Sequence, residues 1–166
     1  MKSKILGLSM FVLLFCSCQQ PSKVAIVTTG LEIENQNKSL EAYVNGDWAT
    51  YRADFADTAK IFFNNQQFDP DSLVRWQQAR RASYDKVAVS ADASEFVTYE
   101  NGEGWVHWWG KLSLTVKGTG RVVEVPLHLA GKIVGGKTVE QYGYFNTQEI
   151  FVALQEAATP PSPPAK

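Results

Sequence analysis

Cysteine is almost missing from this 166-residue chain: it has two, Cys16 and Cys18, both within the first eighteen residues. The remainder carries no thiol, which excludes a disulfide scaffold, a cysteine nucleophile and a thiolate metal site there. Histidine is as scarce, with His107 and His128 alone. Even catalytic zinc takes three ligands from its protein, so two imidazoles leave a metal short and no metal site is expected. Positive charge is not in excess: the net charge is −1 and no basic patch stands out, so nucleic acid is not an expected partner. No glycine-rich turn sits between a strand and a helix start, which leaves no phosphate loop. There is no internal repeat, and nothing calls for a cofactor.

What is present begins with "MKSKILGLSMFVLLFCSCQQ". Two lysines precede an apolar run of about eleven residues, then small residues and cysteine, the order of a secretory signal. The run is too short for a membrane-spanning helix, which needs about twenty residues. Cys18 follows the small Ser17, whereas Cys16 would require cleavage after Phe15. The stretch resembles a bacterial lipoprotein processing site, departing from it at Phe15, where that motif prefers leucine. The resemblance implies a signal peptide over 1–17, lipid attachment at Cys18, and membrane contact through the lipid only. The expected location is the bacterial cell envelope, at the outer membrane facing the periplasm. The alternative is an ordinary secreted protein cut nearby. Without Lys2 and Lys4, 14 basic residues stand against 17 acidic ones, a net charge of −3. Residues 18–37 read as anchor and polar tether. At the other end, 157–166, "AATPPSPPAK", read as a disordered proline-rich tail. One domain over 38–156 remains, long enough to bury a core.

Within it, "SLEAYVNG" reads as a short amphipathic helix stopped by Gly46, and "DWATYRADFAD" restarts one with Asp47 as N-cap. "AKIFFNN" reads as a strand. "DPDSLVRWQQARRASYD" opens a third helix at Asp69-Pro70-Asp71, with Arg80-Arg81 as a solvated face. Everything after Lys86 reads as strand, with tight turns at Asn101-Gly102 and Gly135-Gly136, where both central residues need positive φ. Helices followed by an antiparallel meander make an α+β domain.

A four-residue loop over 117–120 sets Val116 against Arg121, Leu114 against Val123, Leu112 against Val125 and Trp109 against His128. The turn at Gly135-Gly136 then sets Leu129 against Tyr142 and His128 against Gly143. One face collects Trp108, Leu112, Leu114, Val123, Val125, Leu127, Leu129, Tyr142 and Tyr144. The other collects His107, Trp109, Lys111, Ser113, Glu124, His128, Gln141 and Phe145. A slip of one residue would scramble both sets.

The stretches "AYVNGDWATYRADFADTAKIFF", "VHWWGKLSLTVKGTGRVVEVPLH" and "VPLHLAGKIVGGKTVEQYGYFNTQEIFVAL", in this order, resemble the SnoaL-like branch of the nuclear transport factor 2-like superfamily. The resemblance implies a cone-shaped α+β fold, three N-terminal helices packed on a curved antiparallel sheet around a small-molecule pocket, with the convex face commonly forming a homodimer. Compared with the ketosteroid isomerases of that superfamily, His128 falls where they place a hydrogen-bonding acid, and Gln141, Gly143 and Phe145 fall on cavity positions. The mixed face is then the concave one. The expected ligand-binding residues are His107, Trp109, His128, Gln141 and Phe145, joined by Phe63 and Phe96. Isomerase chemistry is not expected. The general base position carries Phe63 and the oxyanion-holding tyrosine position carries Ser39, neither of which serves. Asn146 stands where many SnoaL-like chains carry aspartate.

His128 is the catalytic candidate, because an imidazole titrates near neutrality; the competing role is a structural or ligand-orienting hydrogen bond. Glu124 is four residues along the strand, about 13 Å away, and His107 and His128 are diagonal neighbours with backbones about 7 Å apart. Three functions fit. The first is an envelope lipoprotein whose domain binds a small, mostly apolar molecule around Trp109 and His128. The second is a SnoaL-like hydrolase, isomerase or cyclase using His128, assisted by Tyr43 or Gln141. The third is a structural dimer module that lends a face with Trp108 and Tyr144.

Overall fold

The computed structural model describes residues 24–159; the leader, Cys18 and the end of the proline-rich tail lie outside them. Strand β1 (Ala25–Val27) precedes helices α1 (Leu31–Asn45) and α2 (Trp48–Ala53). Strands β2 (Phe55–Phe63) and β3 (Gln66–Phe68) lead to α3 (Pro70–Arg81). The meander β4 (Tyr84–Thr98), β5 (Gly104–Val116), β6 (Val122–Val134) and β7 (Lys137–Phe145) follows, and α4 (Gln148–Ala158) ends the domain. The strands form one open sheet in the order β1-β4-β5-β6-β7-β2-β3. Every pair is antiparallel except β2 with β7, which run parallel.

Local chemistry explains the helix boundaries. Gly46 adopts the left-handed conformation at φ 72°, and its N–H returns to Ala42 and Tyr43, which ends α1. Asp47 accepts from the Thr50 N–H at 3.1 Å and starts α2. Asp69 and Ser72 form a reciprocal capping box, with Pro70 in the first turn of α3, where its missing N–H costs nothing.

Several boundaries differ from the sequence-based expectation. Helix α1 begins at Leu31, eight residues before Ser39, and β1 pairs with Phe96–Thr98 of β4, so the domain takes in most of the segment read as tether. Gly30 caps α1 without a side-chain hydrogen bond, so no capping residue announces the start. Residues 148–158 are helix rather than strand. Ile150, Ala153, Leu154 and Ala157 follow the i, i+3, i+4, i+7 spacing and pack into the core, while Phe151 points to solvent. At Asn101-Gly102 only Gly102 has positive φ, within a loop closed by the Tyr99 N–H to the Glu103 carbonyl.

The consequential difference lies in β7. Gly135 and Gly136 both have positive φ and set Val134 against Lys137, as the two-residue turn requires. The ladder then shifts: Ile133 faces Thr138, but Lys132 faces Glu140, leaving Val139 as an extra residue. This β-bulge turns the rest of the strand over. Leu129 therefore faces Gly143 instead of Tyr142, and His128 faces Tyr144 instead of Gly143. The β5–β6 register is as expected, with Trp109 opposite His128.

The core lies between the helices and one face of the sheet. There Trp108, Leu112, Leu114, Val123, Val125, Leu127 and Leu129 meet Leu40, Tyr51, Leu73 and Ile150. Trp108 is 1% exposed, lying across Gly110, where a β-carbon would come 2.4 Å from its ring.

Candidate ligand cavity

Between the helices and the sheet a cavity of about 40 Å³ remains open. Gln36, Ser39, Leu40 and Tyr43 reach it from α1, and Tyr51 from α2. Trp76, Gln77 and Arg80 come from α3, one face of that helix by their spacing after Leu73. The sheet supplies Phe63, Tyr84, Val89, Leu112, Leu114, Leu127, Leu129, Gln141 and Phe145. Aliphatic residues of β5 and β6 thus form the floor, and aromatic rings with a few polar groups form the roof.

The polar groups are of a particular kind. Burial pushes the Tyr43 phenol up to about 12, against the pull of the Arg80 cation. Burial also raises Tyr51, whose hydroxyl is in hydrogen-bond contact with Gln77, and raises Tyr84 despite Arg80. At neutral pH these phenols are protonated hydrogen-bond donors. Arg80 lies with its guanidinium carbon 4.6 Å from the Trp76 ring and 6.0 Å from Phe145. Such cation–π contact fixes a head group without neutralising it. Behind Ser39, Asp54 accepts from Thr138 at 3.1 Å and interacts with the Ser39 hydroxyl; burial raises its carboxyl pKa, and these hydrogen bonds oppose the rise.

Of the residues expected to bind ligand, Phe63, Gln141 and Phe145 line this cavity. His107, Trp109 and His128 do not. They project from the opposite face, because Trp108 and Leu129 point to the helices and their chain neighbours must point away. The bulge at Val139 lets Gln141 and Phe145 face inward while their supposed companions face outward, so the residues grouped on one face belong to two. Phe96 is on the helix side of the sheet but lies over Gly104, outside the cavity. Trp108, offered as an outward dimer residue, is inside the core, and Arg80, half-exposed, also lines the cavity wall. Sequence reasoning missed Trp76, Gln77, Arg80, Tyr51 and Tyr84, although the helical spacing from Leu73 to Arg80 carried the signal for three of them.

The outer face has its own pattern. Trp109 stacks on His128 with centroids 5.0 Å apart and planes 6° apart, and His128 stacks on His107 at 5.7 Å and on Tyr144 at 6.2 Å. Tyr142 and Phe62 continue the band onto β2 at 5.0 Å. The two imidazoles meet ring face to ring face, which aims no pair of nitrogen lone pairs at a common point. His128 is lowered in pKa by burial first and by His107 second, and its Nε2 is buried without a partner among the described residues.

No family model matches the sequence, and no curated protein matches it. Solved structures do. An NTF2-like protein of unknown function from Burkholderia pseudomallei superposes with a TM-score of 0.63 at 13% identity, over 76% of this chain and 98% of that one. Wild-type IdmH of Streptomyces antibioticus, a proposed polyketide cyclase, gives 0.63 at 17% identity over 76% and 99%. A proposed SnoaL-like polyketide cyclase from Jannaschia sp. CCS1 gives 0.61 at 15% identity over 78% and 93%. The chain has the nuclear transport factor 2-like fold. At these identities the fold is what is shared. In NTF2-like terms, the seventeen-residue lining described above is the interior of the cone, and the aromatic band is its outside.

Proposed function

We propose that this NTF2-like domain binds a small, mostly apolar molecule in the cavity between α1, α3 and the sheet. The observation that carries the reading is the lining itself: an aliphatic floor under an aromatic roof, with polar groups that donate hydrogen bonds or carry positive charge. Concave, mostly apolar sites with a few placed polar groups are the usual form of small-molecule sites. The phenols on the wall hold their protons at neutral pH, Tyr43 up to about 12, and so serve as hydrogen-bond donors to a molecule held there.

The test is a thermal-shift screen of small metabolites against the wild type and Leu129→Trp, which fills the floor. Compounds saturating at about a hundred times Kd should add about 2.7 kcal/mol to wild-type stability, and the filled variant should show no shift. The reading fails if no compound stabilises the wild type, or if both proteins respond alike.

The same proposal places the domain on a bacterial envelope membrane through a lipid at Cys18, with the outer membrane facing the periplasm as its address. The N-terminal residue pattern supports this. Cys18→Ser should move the protein from the membrane fraction to the soluble fraction on cell breakage; retention in the membrane would refute it. A second association is favoured by the aromatic band on the outer face, where Trp109 is 36% and Tyr144 50% exposed. Rings stacked in a row on an open sheet suit a homodimer built across that face.

A further inference from the structure

Tyr84 opens β4 with its side chain on the cavity wall and is 3% exposed, yet its hydroxyl is buried with no hydrogen-bond partner among the described residues. Native proteins rarely bury a hydroxyl unpaired, since the desolvated donor goes uncompensated. A ligand acceptor would complete it. Beside it on the same wall is Arg80, whose charge acts on both Tyr84 and Tyr43. Four ion pairs occur among the described residues, and Arg80 takes part in none of them; it rests on Trp76. Its neighbour Arg81 is committed, donating to the Tyr84 carbonyl at 3.0 Å. The cavity therefore presents one guanidinium outside any ion pair and one phenol donor without a protein partner among the described residues, over a hydrocarbon floor.

Resting on the binding role proposed above, we infer that the ligand is a small apolar monocarboxylate, its carboxylate held by the Arg80 guanidinium and the Tyr84 hydroxyl. A guanidinium matches a carboxylate in shape and charge, and charge-assisted hydrogen bonds are the strong ones. One cation fits one negative charge. A phosphate monoester would bring a second charge into an enclosure of Leu112, Leu127 and Leu129 that cannot balance it. A neutral hydrocarbon would leave the Tyr84 donor unpaired.

The experiment is calorimetric titration of acetate and propionate, the smallest members of the class, alongside acetamide and propionamide, into the wild type, Arg80→Gln and Tyr84→Phe. The acids should bind the wild type about tenfold or more tighter than their amides. Arg80→Gln should weaken the acids by about tenfold while leaving the amides nearly unchanged, and Tyr84→Phe should weaken the acids by about tenfold and the amides, whose carbonyl also accepts, by less. Tyr84→Phe also has a ligand-free readout. Because no protein group among the described residues pairs with the hydroxyl, the variant should unfold no more readily than the wild type, which also guards against a folding artefact. Amides binding as well as acids, or acids indifferent to Arg80→Gln, would overturn the carboxylate assignment and leave the binding role standing. If neither series binds while the metabolite screen succeeds with other compounds, the assignment again falls alone. If that screen fails too, both fall.

Discussion

Gly143 shows how closely the cavity wall is fitted at single residues. It sits on β7 beneath the Phe63 ring, and a β-carbon there would lie 2.4 Å from one ring carbon of Phe63 and 3.2 Å from a Leu129 methyl. Only a residue without a side chain lets Phe63 lie flat against the strand and leave the interior open. Gly143→Ala should force the ring toward the cavity, costing about 1–3 kcal/mol as overpacking and reducing any ligand-induced stabilisation. Urea denaturation of the two proteins checks the first effect and repeating the thermal-shift screen checks the second. Unchanged stability would mean that Phe63 slides aside freely and does not define the wall.

At the scale of elements, what the sequence made legible were features with local causes. The Asp69-Pro70 opening of α3, the Asp47 cap of α2, the Gly46 stop and the Gly135-Gly136 turn each rest on a few adjacent residues, and each stands in the structure. The β5–β6 register was legible because one short loop fixes it and leucines and valines mark the inward side. The β6–β7 register was not, because nothing local marks Val139 as a bulge. Thr138 and Gln141, three residues apart, both turn inward, which strict alternation forbids. The start of α1 was hidden by the polar run "ENQNK" and a cap made by glycine, and α4 by its β-branched, apolar appearance after four strands. One unseen residue in β7 was enough to move the site from the outer face to the inner one. Arg80 was misjudged for a different reason. An arginine pair on a helix is ordinarily solvated, and only the turn of α3 separates Arg80, against Trp76, from Arg81, which serves the Tyr84 backbone.

For the molecule as a whole, the two faces of the sheet have separate work: one encloses the cavity, the other displays the band from Trp109 to Phe62. If the band joins two copies, light scattering at micromolar concentration should give twice the chain mass, and Trp109→Glu with Tyr144→Glu should halve it without loss of fold. A wild-type monomer would defeat the dimer. Strand β1 bears on where such a particle could stand. Because Ala25 is already paired to β4, a lipid on Cys18 would lie within roughly seven residues of the sheet, at most about 25 Å of fully stretched chain. A twenty-residue leash would have allowed about 70 Å. The domain would ride close above the bilayer with the β1 edge of its sheet leading, and any molecule delivered to its interior would have little distance to travel from the membrane surface.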